Sequence, residues 1–507
     1  MENNNQLNSP NNSHKRQGED NNINPVFNFE KISIEDIKGE AEQLTKPVDA
    51  IQHTEILSKL LTQFSKVDFR ELAGLENEDD KLKAKHFLVC SIEQILQTAI
   101  QNNWGLCKNL DFVYLYNSAY WSMLDKAELQ MFLGEAAERL GVYKFDARVY
   151  HFREQLFKQF LSVANLPKPE QPNDTVFINL KNGTFEISPK CQVLRPPNRN
   201  DFITYQLPFE YNPKATAPLF QHYLNTVLPD IERQYILAEY LGYVFIKAST
   251  LKLEKTLLLY GTGANGKSVF FEVVNALLGA NNVSSYSLQS LTNENGYYRA
   301  MIANKIVNYA TEINGKLETA IFKQLVSGEP IEARLPYGEP MTITNYAKLI
   351  FNCNELPKDV EQTNAYFRRF LIIPFDKTIP EQQQDKELSK KIIDSELSGV
   401  FNWVLQGLNR LLIQKKFTNS EAVNNQLEQY KKRSDSVLMF LEDENFEQCN
   451  SESQQLKQVY AFYNTYCLEN GYHKVSNKTF ADRLRNAGYL IERKNYGLIV
   501  YIKKQSF

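Results

Sequence analysis

The stretch GTGANGKS, residues 261–268, decides how the rest of the sequence is interpreted. It matches the phosphate-binding pattern G-x-x-x-x-G-K-[ST]. The apolar run LLLY, residues 257–260, precedes it and predicts a buried parallel strand. Apolar residues then recur at helical spacing from Val269 to Leu278 and predict a helix. A bound phosphate would therefore lie at the amino end of a helix, where unpaired N–H groups and the helix dipole favour negative charge.

Each part of this loop has an expected role. The glycines let the backbone turn with its N–H groups facing an anion. Lys267 is expected to reach the β- and γ-phosphates of a nucleotide, and the Ser268 hydroxyl to hold Mg²⁺. An accidental glycine-rich turn is the alternative, and the strand before the loop and the helix after it argue against that. The expected nucleotide-binding residues are Gly261, Thr262, Gly263, Ala264, Asn265, Gly266, Lys267 and Ser268.

Composition limits the classes of protein that fit. The length of 507 residues predicts about three domains at ~150 residues each. The formal net charge of −3 means that any nucleic-acid surface must be local. No apolar run approaches the ~18 residues of a membrane span. The 6 cysteines form no Cys-x-x-Cys pair or Cys/His cluster, which disfavours structural zinc and a disulfide framework, so a reducing cytoplasm is the expected compartment.

Turn signals upstream of the loop predict two hairpins and a linker. FVYLYNSAYWSM, residues 112–123, reads as a hairpin with Asn117-Ser118 in the turn. VFINLKNGTFEI, residues 176–187, carries the strong Asn-Gly turn signal. The proline-rich LRPPNRND, residues 194–201, is expected to be a linker.

Downstream of the loop, three segments place polar side chains beside apolar strands. KIVNYATE ends in Glu312, whose carboxylate can order the Mg²⁺ water shell and polarise an attacking water. AKLIFNCN ends in Asn354, whose amide can contact the γ-phosphate or that water. FRRFLIIPF sets Arg368 and Arg369 before a strand, where a guanidinium could stabilise transition-state charge at a neighbouring subunit's γ-phosphate. A strand-end surface glutamate and a surface arginine ion pair are the alternatives.

Two more segments predict contacts with nucleic acid. The stretch from 322 to 357 contains a helix end at Ser327-Gly328 and then a hairpin whose tip lies near 335–338. After residue 450, two helical patterns and the basic hairpin LIERKNYGLIVYIKK follow in the order of a winged helix-turn-helix. A winged helix that docks on protein is the alternative. The expected phosphate contacts of the winged helix are Lys478, Arg483, Arg485, Arg493 and Lys494.

Taken together, these motifs resemble superfamily 3 helicases, and more closely the poxvirus-type primase-helicase family found in phages and plasmids. GTGANGKS resembles motif A, NYATE motif B, FNCNELP motif C and RRFLIIPF the arginine-finger strand. KQLVSGEPIEAR resembles the segment between motifs B and C, and the resemblance covers roughly residues 110–505.

The resemblance implies a hexameric AAA+-like ring that hydrolyses ATP with Mg²⁺ and translocates on a DNA strand. It implies that Glu312 is the catalytic acid, Asn354 the sensor, and Arg369, rather than Arg368, the finger. It also implies that the hairpin 334–337 grips DNA. The sequence departs from the family pattern where Thr311 precedes Glu312 in place of a second acid. It departs again at the hairpin tip, where Tyr337-Gly338 stands in place of the lysine that relatives often carry. Gripping would therefore depend on Arg334 and on stacking or backbone contact by Tyr337.

Residues 1–110 lack a convincing pair of aspartates for primase metals, so a separate primase is the expected partner. The predicted fold is multidomain, with an α/β AAA+-like ATPase core, a mainly helical amino-terminal region and a carboxyl-terminal winged helix. The competing interpretation is a DNA-binding replication initiator or scaffold whose ATPase controls assembly without unwinding. The expected segments are a disordered tail (1–30), a mainly helical domain (31–170), a collar or linker (171–244), the ATPase (245–400), a helical connector (401–450) and the winged helix (451–507).

Overall fold

The computed structural model describes residues 50–505, except 78, 110–111, 189–190, 312, 314–316, 337 and 358–359. The predicted disordered tail, Glu312 and Tyr337 lie outside the described residues. Among the residues described, no helix is both long enough and apolar enough to cross a membrane.

The amino-terminal part packs helices around a small antiparallel sheet. The sheet has the order β1-β2-β3, and Tyr116 pairs with Trp121 across the predicted hairpin, which is confirmed. Ile92, Ile95 and Leu133 are fully buried where the helices meet. The elements are α1 (His53–Leu61), α2 (Phe69–Leu72), α3 (Ala84–Gln101), β1 (Leu106–Asn109), β2 (Phe112–Tyr116), β3 (Trp121–Met123), α4 (Lys126–Leu140), α5 (Lys144–Ala147) and α6 (Tyr150–Val163).

A second antiparallel sheet and two helices lead into the core. The strands pair in the order β4-β5-β6, and the predicted Asn-Gly hairpin is confirmed by the pairing of Leu180 with Gly183. The proline-rich stretch expected to be a linker is instead tied down, because Arg195 forms ion pairs with Glu186 (2.6 Å) and with the buried Asp201 (2.9 Å). The elements are β4 (Val176–Leu180), β5 (Gly183–Ile187), β6 (Gln192–Arg195), α7 (Pro218–Val227) and α8 (Ile231–Tyr243).

The central part is a five-stranded parallel sheet with the order β13-β7-β12-β9-β8. The four strands predicted after residue 256 are confirmed, and Leu257, Leu258 and Leu259 are fully buried. The predicted helix end at Ser327 and the hairpin after it are also confirmed. The elements are β7 (Thr256–Tyr260), α9 (Lys267–Leu278), β8 (Val283–Ser284), α10 (Leu288–Thr292), α11 (Tyr297–Met301), β9 (Val307–Ala310), α12 (Thr319–Ser327), β10 (Ile331–Arg334), β11 (Pro340–Ile343), β12 (Lys348–Cys353), α13 (Asn364–Phe367) and β13 (Phe370–Pro374).

A long helix crosses α8 with almost no side-chain layer between them. This helix is α14 (Leu388–Gln414), and α15 (Glu421–Arg433) follows it. A Cβ placed on Gly407 would lie 2.3 Å from the carbonyl carbon of Ala238, and one on Gly242 would lie 2.7 Å from the Cα of Leu408. Only glycine permits backbones to approach this closely.

An ion pair reinforces the crossing of α8 and α14. Glu239 is fully buried, and its carboxylate accepts from Arg410 Nε at 2.7 Å. The same carboxylate accepts from the backbone N–H of Thr418 at 2.8 Å and from the Thr418 hydroxyl. A buried carboxylate with these partners is satisfied, so it fixes the rotation of α8 against α14.

The carboxyl-terminal part contains the predicted helices and basic hairpin, together with one strand that sequence reasoning missed and one helix from the stretch 401–450 that was expected to be a helical connector. Its sheet has the order β14-β16-β15, and Val437 and Phe440 pack in the same core as Phe480. This core therefore starts upstream of residue 451, which falls inside β14. The elements are α16 (Ser436–Asp443), β14 (Phe446–Gln455), α17 (Leu456–Asn470), α18 (Asn477–Asn486), β15 (Ile491–Lys494) and β16 (Gly497–Lys504).

The glycine crossing predicts that Gly407→Ala destabilises the protein. In an open helix the change would stabilise by up to ~1 kcal/mol. Here the added methyl has no space, and overpacking costs about 1–3 kcal/mol or more, so the clash outweighs the gain. Calorimetry should show a lower unfolding temperature for the central part of the chain. Gln406→Ala, at the neighbouring exposed position, is the control and should leave it unchanged. Equal unfolding temperatures for the two variants would contradict this account.

Candidate nucleotide site and arginine pair

The loop 261–268 joins the end of β7 to the start of α9. Its backbone reverses through left-handed conformations at Gly263 (φ 121°), Ala264 (φ 47°) and Gly266 (φ 85°). Gly266 is the residue that caps the amino end of α9. Successive turns of this kind point N–H groups to one side, and they do so here at the positive end of a helix dipole.

Lys267 is buried beneath the loop and faces uncharged oxygens. Its Nζ donates to the Gly261 carbonyl at 2.6 Å and to Asn265 Oδ1 at 3.0 Å. Burial lowers the pKa of its ammonium, and proximity to the Cys353 thiol opposes that effect. The described contacts of this ammonium are with neutral oxygens, so a phosphate group would meet an uncompensated positive charge.

Asn265 holds the loop in shape. Its Nδ2 donates to the Phe375 carbonyl at 3.1 Å while its Oδ1 accepts from Lys267. A Cβ on Gly261 would lie 2.2 Å from that Nδ2, so glycine is required there for close packing. Sequence reasoning gave Asn265 a place in the nucleotide-binding set, and the structure assigns its side chain to positioning the loop.

Tyr223 supports the loop from α7, and no sequence signal pointed to it. Its hydroxyl donates to the Gly266 carbonyl at 2.9 Å, and burial raises its pKa. A Cβ on Gly266 would meet Val227 and the Tyr223 ring at 2.7 and 3.0 Å. The helix upstream of the core is therefore part of the wall of the loop.

The residues of the loop fit a triphosphate and its metal ion. A Cβ on Gly263 would meet no atom within 4 Å, so that part of the backbone faces open space. Thr262 and Ser268 are exposed, and Lys267 supplies the cation. Ser268 is the hydroxyl that would hold Mg²⁺. Within the described ranges, no three His, Cys, Asp or Glu side chains are grouped as metal ligands.

Asn354 lies beside the loop. It follows β12, whose last residue, Cys353, pairs with Tyr260 at the end of β7. The N–H of Gly261 donates to the Cys353 carbonyl at 3.1 Å, and Asn354 is exposed. The end of β9 is on the other side of β12, with Ala310 paired to Phe351.

The arginine pair lies at the opposite edge of the sheet. Phe370, which follows Arg369, pairs with Thr256 at the amino end of β7. The loop leaves the carboxyl end of that strand, so five residues at about 3.3 Å each separate the pair from it. Neither guanidinium can therefore be assigned to the phosphate loop of its own chain.

The two arginines have different environments. Arg369 is buried, and it donates to the Ala365 carbonyl and to the Ser327 hydroxyl at 2.9 Å. Arg368 is exposed and donates to Glu254 at 2.6 Å. The preference for Arg369 as the finger stays a prediction. Of the two arginines, Arg368 is the one whose side chain is exposed and accessible to a neighbouring molecule.

The residues predicted to contact DNA are not equally available. Arg334 is exposed on β10, and its Nε donates to the Gly338 carbonyl at 2.9 Å across the hairpin. Arg483 pairs with the mostly buried Asp435 at 2.9 Å, so it ties α18 to the start of α16 and does not present a free charge.

The other basic residues of the carboxyl-terminal part are exposed. Arg485 pairs with Asp482 at 2.7 Å, and Lys494 pairs with Glu492 at 2.8 Å. Lys478 and Arg493 are exposed and form no ion pair within the described residues.

Comparison with known protein families gives three matches. Residues 93–229 match the family described as "D5 N terminal like", and residues 432–505 match "Poxvirus D5 protein-like". Residues 259–369, which include the loop, match a "Family of unknown function (DUF5906)". The two segments with D5 descriptions flank the α/β core, so the chain is similar to D5-like proteins on both sides of that core.

Individual relatives are distant. A protein of Acanthamoeba polyphaga mimivirus named "Putative helicase L207/L206" is 24% identical over 261 residues, which is 47% of this chain. The chain spans 26% of the length of that relative. Two solved apo structures of the NrS-1 C-terminal region are each 13% identical, with TM-scores of 0.44 and 0.45, over 81% of this chain and 98% of theirs.

Burial predicts that the two arginines differ in their effect on stability. Arg369→Ala removes a buried side chain and leaves the Ser327 hydroxyl without its donor, which should cost about 1–3 kcal/mol. Arg368→Ala removes an exposed guanidinium from Glu254, which keeps Lys252 and Arg369 as partners, so it should cost less than ~1 kcal/mol. Calorimetry of the two full-length variants should show a lower unfolding temperature for Arg369→Ala alone. The reverse order would contradict the environments described.

Proposed function

We propose that this chain is an ATP-hydrolysing DNA helicase that acts in replication of a phage, plasmid or other mobile element. The observation that carries the proposal is the separation of the phosphate loop and the arginine pair to opposite edges of one parallel sheet. Ligands of open α/β sheets bind at the carboxyl ends of the strands. A nucleotide site at that edge would need an arginine from outside the chain to complete it. This arrangement is typical of ring-shaped motors and not of small-molecule kinases.

Hydrolysis is proposed to use residues from three strand ends. The Lys267 ammonium would neutralise charge on the β- and γ-phosphates, and the loop N–H groups would hold the oxygens. Mg²⁺, held through Ser268, would supply electrophilic stabilisation of the phosphoryl group. Glu312 is the proposed base that orients the attacking water, and Asn354 would hydrogen-bond to that water or to the γ-phosphate.

The position of the arginine pair supports the proposal that several copies of the chain assemble. A finger that cannot reach its own loop must reach the loop of a neighbouring copy. This gives a heterologous interface, which closes into a ring. The family resemblance makes a hexamer the proposed ring. Arg368, the exposed member, is the proposed finger, and Arg369 would support the segment that carries it.

DNA contacts are proposed at two places. The hairpin formed by β10 and β11 would contact a single strand through Arg334 and Tyr337. The carboxyl-terminal part, proposed as a winged helix, would contact phosphates through Lys478 and Arg493. A separate primase is the proposed partner for strand initiation.

Glu312→Gln and Lys267→Ala should separate nucleotide binding from hydrolysis. Lys267→Ala should lower ATP turnover by roughly 10²–10³-fold or more. Glu312→Gln should retain binding of an ATP analogue and lose turnover, because the loop is intact. Lys386→Ala, at an exposed position, is the control. Phosphate release and analogue binding measure both properties, and normal turnover by Glu312→Gln would remove Glu312 from the mechanism.

The same proteins test the helicase itself. Wild type should displace a strand from a forked duplex only with ATP, and its turnover should rise with protein concentration up to the assembly threshold. Hydrolysis and DNA binding without displacement would overturn the helicase proposal in favour of an initiator or scaffold whose ATPase controls assembly.

Ion pairing within the carboxyl-terminal part predicts unequal salt effects on DNA binding. The double change Lys478→Ala with Arg493→Ala should flatten the slope of log affinity against log salt by about 2, at ~0.9 per phosphate contact. Arg483→Ala should leave the slope unchanged and lower thermal stability, because its partner is Asp435. Fluorescence anisotropy with labelled forked DNA measures the slopes. A flatter slope for Arg483→Ala alone would show that Arg483, and not Lys478 or Arg493, contacts DNA phosphates.

A further inference from the structure

A cavity of about 120 Å³ lies at the amino ends of the central strands, on the far side of the sheet from the phosphate loop. It is lined by the segments that lead into β7, β9 and β12 and by the residues that follow α8. Phe177 on β4 and Tyr205, in the segment that follows β6, close it on the side of the upstream sheet. The cavity is therefore separate from the proposed nucleotide site.

Four lysines line this cavity, and none of its lining residues is an aspartate or glutamate. They are Lys247, Lys255, Lys305 and Lys348, each half-buried. The described residues contain no salt bridge to any of them. Elsewhere in the chain half-buried cations such as Lys323 and Arg195 do have carboxylate partners.

The partners that these lysines do have are uncharged. Lys305 Nζ donates to the Asn281 carbonyl at 2.6 Å. Lys348 Nζ lies 4.4 Å from the centre of the Tyr243 ring. Lys255 Nζ donates to the Arg368 carbonyl at 2.5 Å. The described contacts of these ammonium groups are thus with neutral groups, and all four lysines line one small, partly desolvated cavity.

Such an arrangement is costly in the absence of an anion. Burial and the neighbouring Lys168 lower the pKa of Lys247 to about 8, and burial also lowers those of Lys255 and Lys305. Partial burial of an ammonium group without a carboxylate partner disfavours its charged form. A bound anion would remove this cost.

We propose that the cavity binds a compact phosphate anion with at least two negative charges, of the size of pyrophosphate. Its volume of about 120 Å³ is well below the ~300–1,000 Å³ of pockets that enclose whole organic ligands. Lysines act as point charges towards phosphate and need no planar partner. The amide side chain of Asn345 on the lining supplies a further donor.

The site lies next to the proposed finger. Lys255 joins the cavity to the backbone of Arg368, and Glu254 beside it accepts from the Arg368 guanidinium. An anion that draws Lys255 inward would act on the segment that carries Arg368. The binding itself requires neither hydrolysis nor assembly, so it can be tested apart from the proposed function.

Calorimetric titration with pyrophosphate tests the site. The background is full-length Lys267→Ala, which weakens binding at the phosphate loop. Lys247→Met and Lys305→Met keep the apolar stems and remove the charges, and each should lower pyrophosphate affinity at least about 10-fold. Lys386→Met, at an exposed position outside the cavity, should not change it. The two cavity variants should unfold at the same temperature as the background or higher, since each removes a half-buried charge whose pKa is lowered by burial.

Three outcomes would overturn the proposal. The first is no binding of pyrophosphate to the Lys267→Ala protein. The second is binding that is the same in the cavity variants and in the control. The third is an affinity for single-stranded oligonucleotide that depends on Lys247 and Lys305 while pyrophosphate does not bind, because the ligand would then be a nucleic-acid backbone.

Discussion

The parallel pairing of β7 with β12 on one side and β13 on the other is the constraint on which the rest of the central part depends. Parallel strands share their direction, so whatever follows β7 and β12 meets at one edge of the sheet. The same pairing sends the residues before β13 to the opposite edge. This one register determines at which edge of the sheet the proposed nucleotide site, the arginine pair and the lysine-lined cavity lie.

The phosphate loop is supported from outside the sheet as much as from within it. Tyr223 on α7 and the Phe375 carbonyl after β13 both bond to the loop. Helix α8 follows α7 and is locked against α14 through Gly242, Gly407 and the buried Glu239. The loop is thus a preformed element whose shape comes from segments on both sides of it in sequence.

Local patterns predicted the central strands and the hairpins because each depends on residues close in sequence. The strand before the loop 261–268 and the helix after it were predictable for the same reason. The support from Tyr223 and Phe375 was not predictable, because their partners are 43 and 110 residues away. Nor could the sequence show which basic residues after 476 are held in ion pairs, since an arginine there can pair with a distant carboxylate such as Asp435. The roles of Glu312, Asn354 and the arginine pair stay predictions, and the burial of Arg369 moves the proposed finger to Arg368.

The glycine contacts between α8 and α14 have a consequence for how this protein can vary. Most packed positions can be adjusted in small steps, by exchanging one side chain for another of slightly different size. Positions 242 and 407 already carry the smallest residue, and each touches backbone or Cβ atoms of the other helix. Every substitution there moves the helices apart. Mutations at these two positions can therefore weaken the packing of α8 against α14 but cannot improve it.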